Sequence, residues 1–129
     1  MTTKQILEKY KRIAVVGLSS NTWRASYGVS RFMQTVGYQI TPVNPNESEV
    51  LGHKAYATLD EVPGPIEIVN IFRRPEFVPE IVEASIRRGA KVIWMQEGVI
   101  HEEAAQRARD AGMEVVMDRC ILKEQMKNF

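Results

Sequence analysis

The chain has 129 residues, 44% apolar and 26% charged, the size and composition of one compact domain with a single core. Its 17 basic and 16 acidic side chains leave a formal charge of +1, so no chain-wide field draws it to nucleic acid or an anionic membrane, and any anion must be held locally. Lys4, Glu8, Lys9, Lys11 and Arg12 interrupt any N-terminal apolar stretch, and a single cysteine beside two histidines offers neither an internal disulfide nor a metal-ligand cluster. A cytoplasmic protein without a structural metal is expected.

Taken in order, a lead-in helix around Lys4 to Tyr10 precedes the apolar run Ile13 to Val16, which reads as a strand buried on both faces and ending at Gly17. Beyond a polar loop, Val29, Phe32, Met33 and Val36 recur at helical spacing until Gly37 stops the helix. A second strand spans Gln39 to Val43. Asn44-Pro45-Asn46 must then leave regular structure, and a long loop runs through Gly52 to Thr58. Ile66 to Phe72 gives the third strand; Pro75 suits the first turn of a helix carrying Val78, Ile81, Val82 and Ile86 up to Gly89. Lys91 to Met95 is the fourth strand, a helix with Ala104, Ala105, Ala108 and Ala111 on one stripe follows, and Glu114 to Met117 is the fifth. The tail from Ile121 reads as a short helix.

This alternation predicts an α/β fold: a three-layer Rossmann-like sandwich with a five-stranded parallel sheet, residues 1–129 forming one domain. A strand order of 3-2-1-4-5 is expected, with the switch point beside the first strand. The rim beyond the strands' carboxyl ends would then collect Ser19, Ser20 and Asn21, Asn44, Arg73 and Arg74, Gln96 and Glu97, and Asp118 with Arg119.

The segment Gly17 to Ser26 runs into a helix amino terminus, where free N–H groups and the helix dipole favour an anion. A phosphate is the natural guest and Arg24 its clamp; ordinary N-capping by Ser26 is the alternative. After Gly17 the next glycine is Gly28, so no G-x-G-x-x-G exists, and no acidic residue closes the second strand to hold a ribose diol. No glycine-lysine-serine or glycine-lysine-threonine triplet occurs either, which excludes a P-loop. Arg73 and Arg74 oppose the dipole of the helix they precede, so a ligand or partner contact competes with a purely solvated role.

The segments VVGLSSNTWRASYGV, ITPVNPNE, NIFRRPEFVPEIV, GAKVIWMQEGV and GMEVVMDRC resemble the stand-alone CoA-binding domain family over nearly the whole chain. That family is similar to the amino-terminal domain of the succinyl-CoA synthetase α subunit. The resemblance implies coenzyme A or an acyl-CoA as ligand, with Gly17, Ser19, Ser20 and Arg24 at the phosphates. It likewise implies Val43 and Asn44 beside adenine and ribose, Ile71, Phe72 and Arg73 along the next edge, and Gln96, Glu97 and Gly98 on the pantetheine side. Two departures stand out. Ser, Asn and Trp replace the ligase's glycine-rich first loop, and the phosphorylated-histidine domain has no counterpart in this sequence. The expectation is a CoA-binding module that is not catalytic alone. The alternatives are a CoA-binding subunit acting in trans with a ligase-type protein partner, and an NAD(P)-binding regulatory domain.

Other residues invite chemistry. Cys120, after the fifth strand, reads either as a small packing residue or as a thiol near the ligand's own thiol. His53 and His101 read as surface or capping residues, and Glu97 lacks a reacting partner. Trp94 belongs to the core or an interface, whereas Trp23 is either a lid over the ligand or a loop-packing residue.

Overall fold

The computed structural model describes all residues from Met1 to Phe129. Helix α1 (Thr3–Lys9) opens on a reciprocal cap: Gln5 N–H donates to Thr2 Oγ1 at 3.1 Å, and Thr2 N–H donates to the Gln5 side chain at 2.8 Å. There follow β1 (Arg12–Val16), α2 (Ala25–Thr35), β2 (Gln39–Val43) and a small antiparallel pair, β3 (Glu49–Val50) with β4 (His53–Lys54). The chain continues through β5 (Ile68–Ile71), a 3-10 turn (Pro75–Phe77), α3 (Val78–Arg87), β6 (Val92–Met95), α4 (Glu102–Asp110), β7 (Glu114–Val116) and α5 (Ile121–Asn128). No helix is long and apolar enough to cross a membrane.

Strand side chains alternate between two cores. Ile13, Val15, Ile68, Val92 and Trp94 join Ile6, Leu7, Met33 and Ile121 from α1, α2 and α5. Ala14, Val16, Val69, Ile71, Ile93 and Met95 face the opposite way, onto Val78, Ile81 and Val82 of α3 and Ala104, Ala105 and Ala108 of α4. The result is the expected α/β sandwich, a parallel five-stranded sheet between helical layers. Burying one such aliphatic side chain stabilises by roughly 1.5–3 kcal/mol as an upper figure, so both faces of the sheet hold the fold. Tyr38 ties the first layer together: it is buried and its hydroxyl donates to Leu7 O at 2.8 Å. Burial pushes its pKa up to about 12.

The strand order corrects the sequence expectation. The sheet runs β2-β1-β5-β6-β7, which is 2-1-3-4-5 among its strands, because β5 pairs with β1 from Ile13 opposite Ile68 to Val16 opposite Ile71. Strand β2 is therefore an edge. Pro42 suits that place: its carbonyl faces outward and accepts from Tyr56 N–H at 3.0 Å, and its ring nitrogen leaves no donor unmet. The β3–β4 pair lies in the segment expected to be only loop. It turns through Leu51 (φ 54) and Gly52 (φ 80). With this order the switch point falls between β1 and β5, whose following helices cover opposite faces.

Candidate functional site

Gly17 marks that switch point. Its N–H donates to Val43 O at 2.8 Å, its φ is +91°, and a Cβ built on it would lie 2.5 Å from Phe72 O. Only a glycine lets the turn after β1 press against the segment after β5. From there the loop folds on itself: Ser19 N–H donates to Ser26 Oγ at 3.1 Å, Asn21 N–H to Ser19 Oγ at 3.0 Å and Trp23 N–H to Asn21 Oδ1 at 3.0 Å. Ser20 N–H is taken by Glu47 Oε2 at 2.8 Å, and Arg24 N–H by Asn21 O at 3.0 Å.

Four amides in this stretch, those of Leu18, Thr22, Ala25 and Ser26, donate to no protein acceptor. Ala25 and Ser26 are the first two residues of α2, whose N-cap is Arg24 with extended backbone and no side-chain cap bond. Ser26 is thus not the cap; its hydroxyl holds Ser19 instead. The amino end of α2 is left open, with the positive end of its dipole facing the rim.

Two concavities meet there. The first, of about 620 Å³, is lined by Gly17, Ser19, Arg24, Ser26, Asn44 and Arg73, among others. The second has a similar volume of about 620 Å³ and more apolar walls, with Val29, Phe72, Pro75, Val99 and Leu122 beside Gln96, Glu97, Gly98 and Cys120. They share Ala25, Phe72 and Arg73, so they form one groove along the carboxyl rim. A smaller cavity of about 280 Å³, on the α3 side, contains Val16, Val43, Ile81 and again Arg73.

Arg73 therefore stands at the junction of all three. Its guanidinium lies 4.1 Å from the Phe77 ring centroid and has no carboxylate partner, whereas Arg74 is 3.1 Å from Glu76. Stacking holds the planar group while leaving its N–H edge free. Arg24, exposed at the other wall, is likewise unpaired. Asn44 braces the floor: its Nδ2 donates to Leu18 O at 3.1 Å and its Oδ1 accepts from Asn46 N–H at 3.0 Å.

At the far end, β6 and β7 are joined beyond their strands. Gly98 N–H donates to Asp118 Oδ1 at 2.7 Å, with Asp118 in the left-handed region at φ 60. Arg119 N–H donates to Met95 O at 3.2 Å, and Trp94 Nε1 donates to Arg119 O at 2.8 Å. Glu97 pairs with Lys123 at 3.0 Å, and that hydrogen bond, followed by the attraction itself, raises the Lys123 pKa above its ordinary value. Cys120 is 7% exposed and precedes α5. His101 caps α4 through Nδ1, which accepts from Ala104 N–H at 3.0 Å, and His53 lies exposed in β4.

Of the residues singled out in the sequence, Gly17, Ser19, Arg24, Asn44, Phe72, Arg73, Gln96, Glu97 and Gly98 line the joined groove. Ser20 is exposed outside its lining, Val43 borders the smaller cavity, and Ile71 is wholly buried beneath the rim. Trp94 is in the core at 0% exposure, while Trp23 is 94% exposed and packs on nothing. The sequence reading missed Phe77 under Arg73, the tie of Ser26 to Ser19, and Leu122 and Lys123 in the groove wall.

A family model described as a CoA binding domain matches residues 11–126. The chain belongs to that family. The YneT protein of Bacillus subtilis is 50% identical over 118 residues, 92% of this chain and 87% of that one. The α subunit of acetate–CoA ligase (ADP-forming) II from Pyrococcus furiosus is 28% identical over 120 residues. That match takes in 84% of this chain and 26% of the subunit, so the chain spans about a quarter of this relative. A solved structure of a hypothetical protein from Pyrococcus horikoshii OT3 superposes with a TM-score of 0.94 at 38% identity, covering 98% of this chain and 92% of that one. In this CoA binding domain, related to ligase subunits, the match extends from the start of β1 into α5 and so contains the entire groove.

Proposed function

We propose that this chain binds coenzyme A or an acyl-CoA along the joined groove, holding the phosphates where α2 begins. The observation that carries this reading is the convergence of two unpaired arginines and two unpaired helix amides on one concavity that continues into an apolar trough. An anion needs donors that are not already engaged, and the free N–H groups of Ala25 and Ser26 with the guanidinium groups of Arg24 and Arg73 supply them. The uncharged arm of the ligand then follows Phe72, Val29, Val99 and Leu122. Adenine borders Val43 and Asn44, next to the smaller cavity.

In this reading the side chains that donate to the phosphates are Ser19, Arg24 and Arg73, Gly17 permits the close approach of backbone, and the Ser20 amide stays with Glu47. The chain holds the ligand without transforming it: Glu97 is engaged by Lys123, and the His101 Nδ1 lone pair is engaged by α4. Isothermal titration of the full chain with CoA, acetyl-CoA and NAD is the test. Saturable binding of the first two over the third is expected, and absence of CoA binding would refute the reading.

The likeness to an acetate–CoA ligase α subunit favours a second role, as the CoA-binding part of a ligase assembled with another chain. Co-purification of an ATP-using partner, with thioester formation only in the mixture, is the result that would establish it.

A further inference from the structure

We propose that an apolar track between α2 and α5 takes the hydrocarbon tail of a medium- or long-chain acyl-CoA, so that the protein selects fatty acyl thioesters over CoA itself. This rests on the reading of the protein as a CoA binder. Helices α2 and α5 both begin at the carboxyl rim and lie side by side over the same core. A polar contact fixes the rotation of each. Gln34 Nε2 donates to Leu51 O at 3.2 Å, which turns that flank of α2 toward the β3–β4 pair. The opposite flank, with Val29, Phe32 and Val36, therefore faces α5. On α5, Thr3 Oγ1 donates to Glu124 Oε1 at 3.0 Å, which turns the Glu124 flank toward α1. Leu122 and Met126, with Phe129 just past the helix end, are left on the flank toward α2.

The track is continuous with the groove. Val29 and Leu122, the first residue of each stripe, are walls of its apolar trough, so a tail carried beyond the ligand's uncharged arm passes between them onto Phe32, Val36, Met126 and Phe129. Val36, Met126 and Phe129 are 43%, 63% and 60% exposed, which makes half of these six side chains apolar surface that nothing in the protein covers. Gln125, beside them, turns its side-chain oxygen inward to accept from the Tyr38 hydroxyl at 2.8 Å. Six apolar side chains fall far short of the roughly 20–30 residues a side of a stable protein–protein interface. They are enough to line one alkyl chain, and the 11 residues of α2 run for about 16 Å, the length scale of a fatty acyl tail. Its methylenes would leave water against apolar carbon, with no polar group to satisfy.

The test is titration of the full chain with CoA and with acetyl-, hexanoyl- and decanoyl-CoA, below the concentrations at which acyl-CoA forms micelles. A methylene wholly removed from water gains roughly fourfold in affinity, and a surface track covers about half of it. Affinity should therefore rise roughly twofold per methylene, on the order of 100-fold from acetyl- to decanoyl-CoA. The triple variant Val36→Thr, Met126→Gln, Phe129→Gln should keep the affinity for CoA and acetyl-CoA and cut that gain to less than about tenfold. All three side chains are exposed, so its melting midpoint should stay near that of the wild type. Should it fall, Met126→Gln alone must flatten the dependence at an unchanged midpoint. CoA binding with no dependence on tail length overturns the proposal, as does a steep dependence that the variants leave intact. Sedimentation that finds the ligand-free protein to be a dimer, split by the same substitutions, also overturns it, because a second copy would then cover the track. A protein that binds neither CoA nor any of its thioesters would instead refute the parent reading.

Discussion

Gly17 and Gly28 flank the same loop and answer to opposite constraints. At Gly17 the backbone is left-handed and a Cβ would meet Phe72 O at 2.5 Å, whereas at Gly28, inside α2, a Cβ would meet nothing within 4 Å. Gly17→Ala should destabilise by on the order of 2–3 kcal/mol, from the unfavourable φ and the forced separation of the two rim segments. Gly28→Ala should stabilise by about 0.5–1 kcal/mol, because alanine lowers the entropy lost on forming the helix. Urea unfolding of both variants checks the pair; equal effects would mean that the rim is not closed by contact at Gly17. In the sequence Gly17 was legible as the end of a strand and Gly28 as the next glycine, too far along to complete a dinucleotide fingerprint. The constraint on Gly17 comes from Phe72, 55 positions further along the chain, and no local pattern announces it.

Among elements, the strands were legible because buried parallel strands are continuous apolar runs, and the five runs survive with no end moved by more than two residues. Their order was not, since Ile13 could as well have faced another aliphatic strand as Ile68. One clue was present: Pro42 within the second run argues for an edge strand and against an order that buries it. The β3–β4 pair escaped because two-residue strands carry no periodicity. Groove residues at strand ends, such as Gly17, Asn44, Arg73 and Gln96, followed from topology alone. The stacking of Arg73 on Phe77 and the bond from Ile121 to Gln96 did not, being contacts that only folding creates. Tyr38 supplies a prediction at this scale, as its hydroxyl ties the residue preceding β2 to α1. Its folded pKa, about 12, lies above the unfolded value of 10.0. The folded chain therefore holds this proton more tightly, and the associated stability, present below pH 10, is lost as pH rises toward 12. A loss on the order of 2 kcal/mol is expected over that window. Unfolding curves of Tyr38→Phe should lack this part of the alkaline decline, and an identical decline in the variant would assign it elsewhere.

At the scale of the whole molecule, a formal charge of +1 means that anion recognition, if the proposed function holds, comes from placement and not from a global field. The groove draws on β1, β2, β5 and β6 together with the start of α2 and α5, so a ligand seated there bridges several strands of the sheet and one of its helical layers. Binding should therefore appear as stability of the entire fold. At a CoA concentration one hundred times its dissociation constant, the linkage amounts to about 2.7 kcal/mol, or roughly 10 °C in the melting midpoint for a chain of this length. The Arg24 side chain makes no bond within the protein, so Arg24→Ala should leave the ligand-free midpoint nearly unchanged. It should nevertheless weaken CoA by about 1.5–3 kcal/mol, through loss of a charge-assisted contact. At the same CoA concentration the gain in stability would then fall to about 1.3 kcal/mol or less. Melting curves of both proteins with and without CoA read the two effects separately: a lowered ligand-free midpoint would make Arg24 a structural residue, and an undiminished shift would remove it from the phosphate end of the groove.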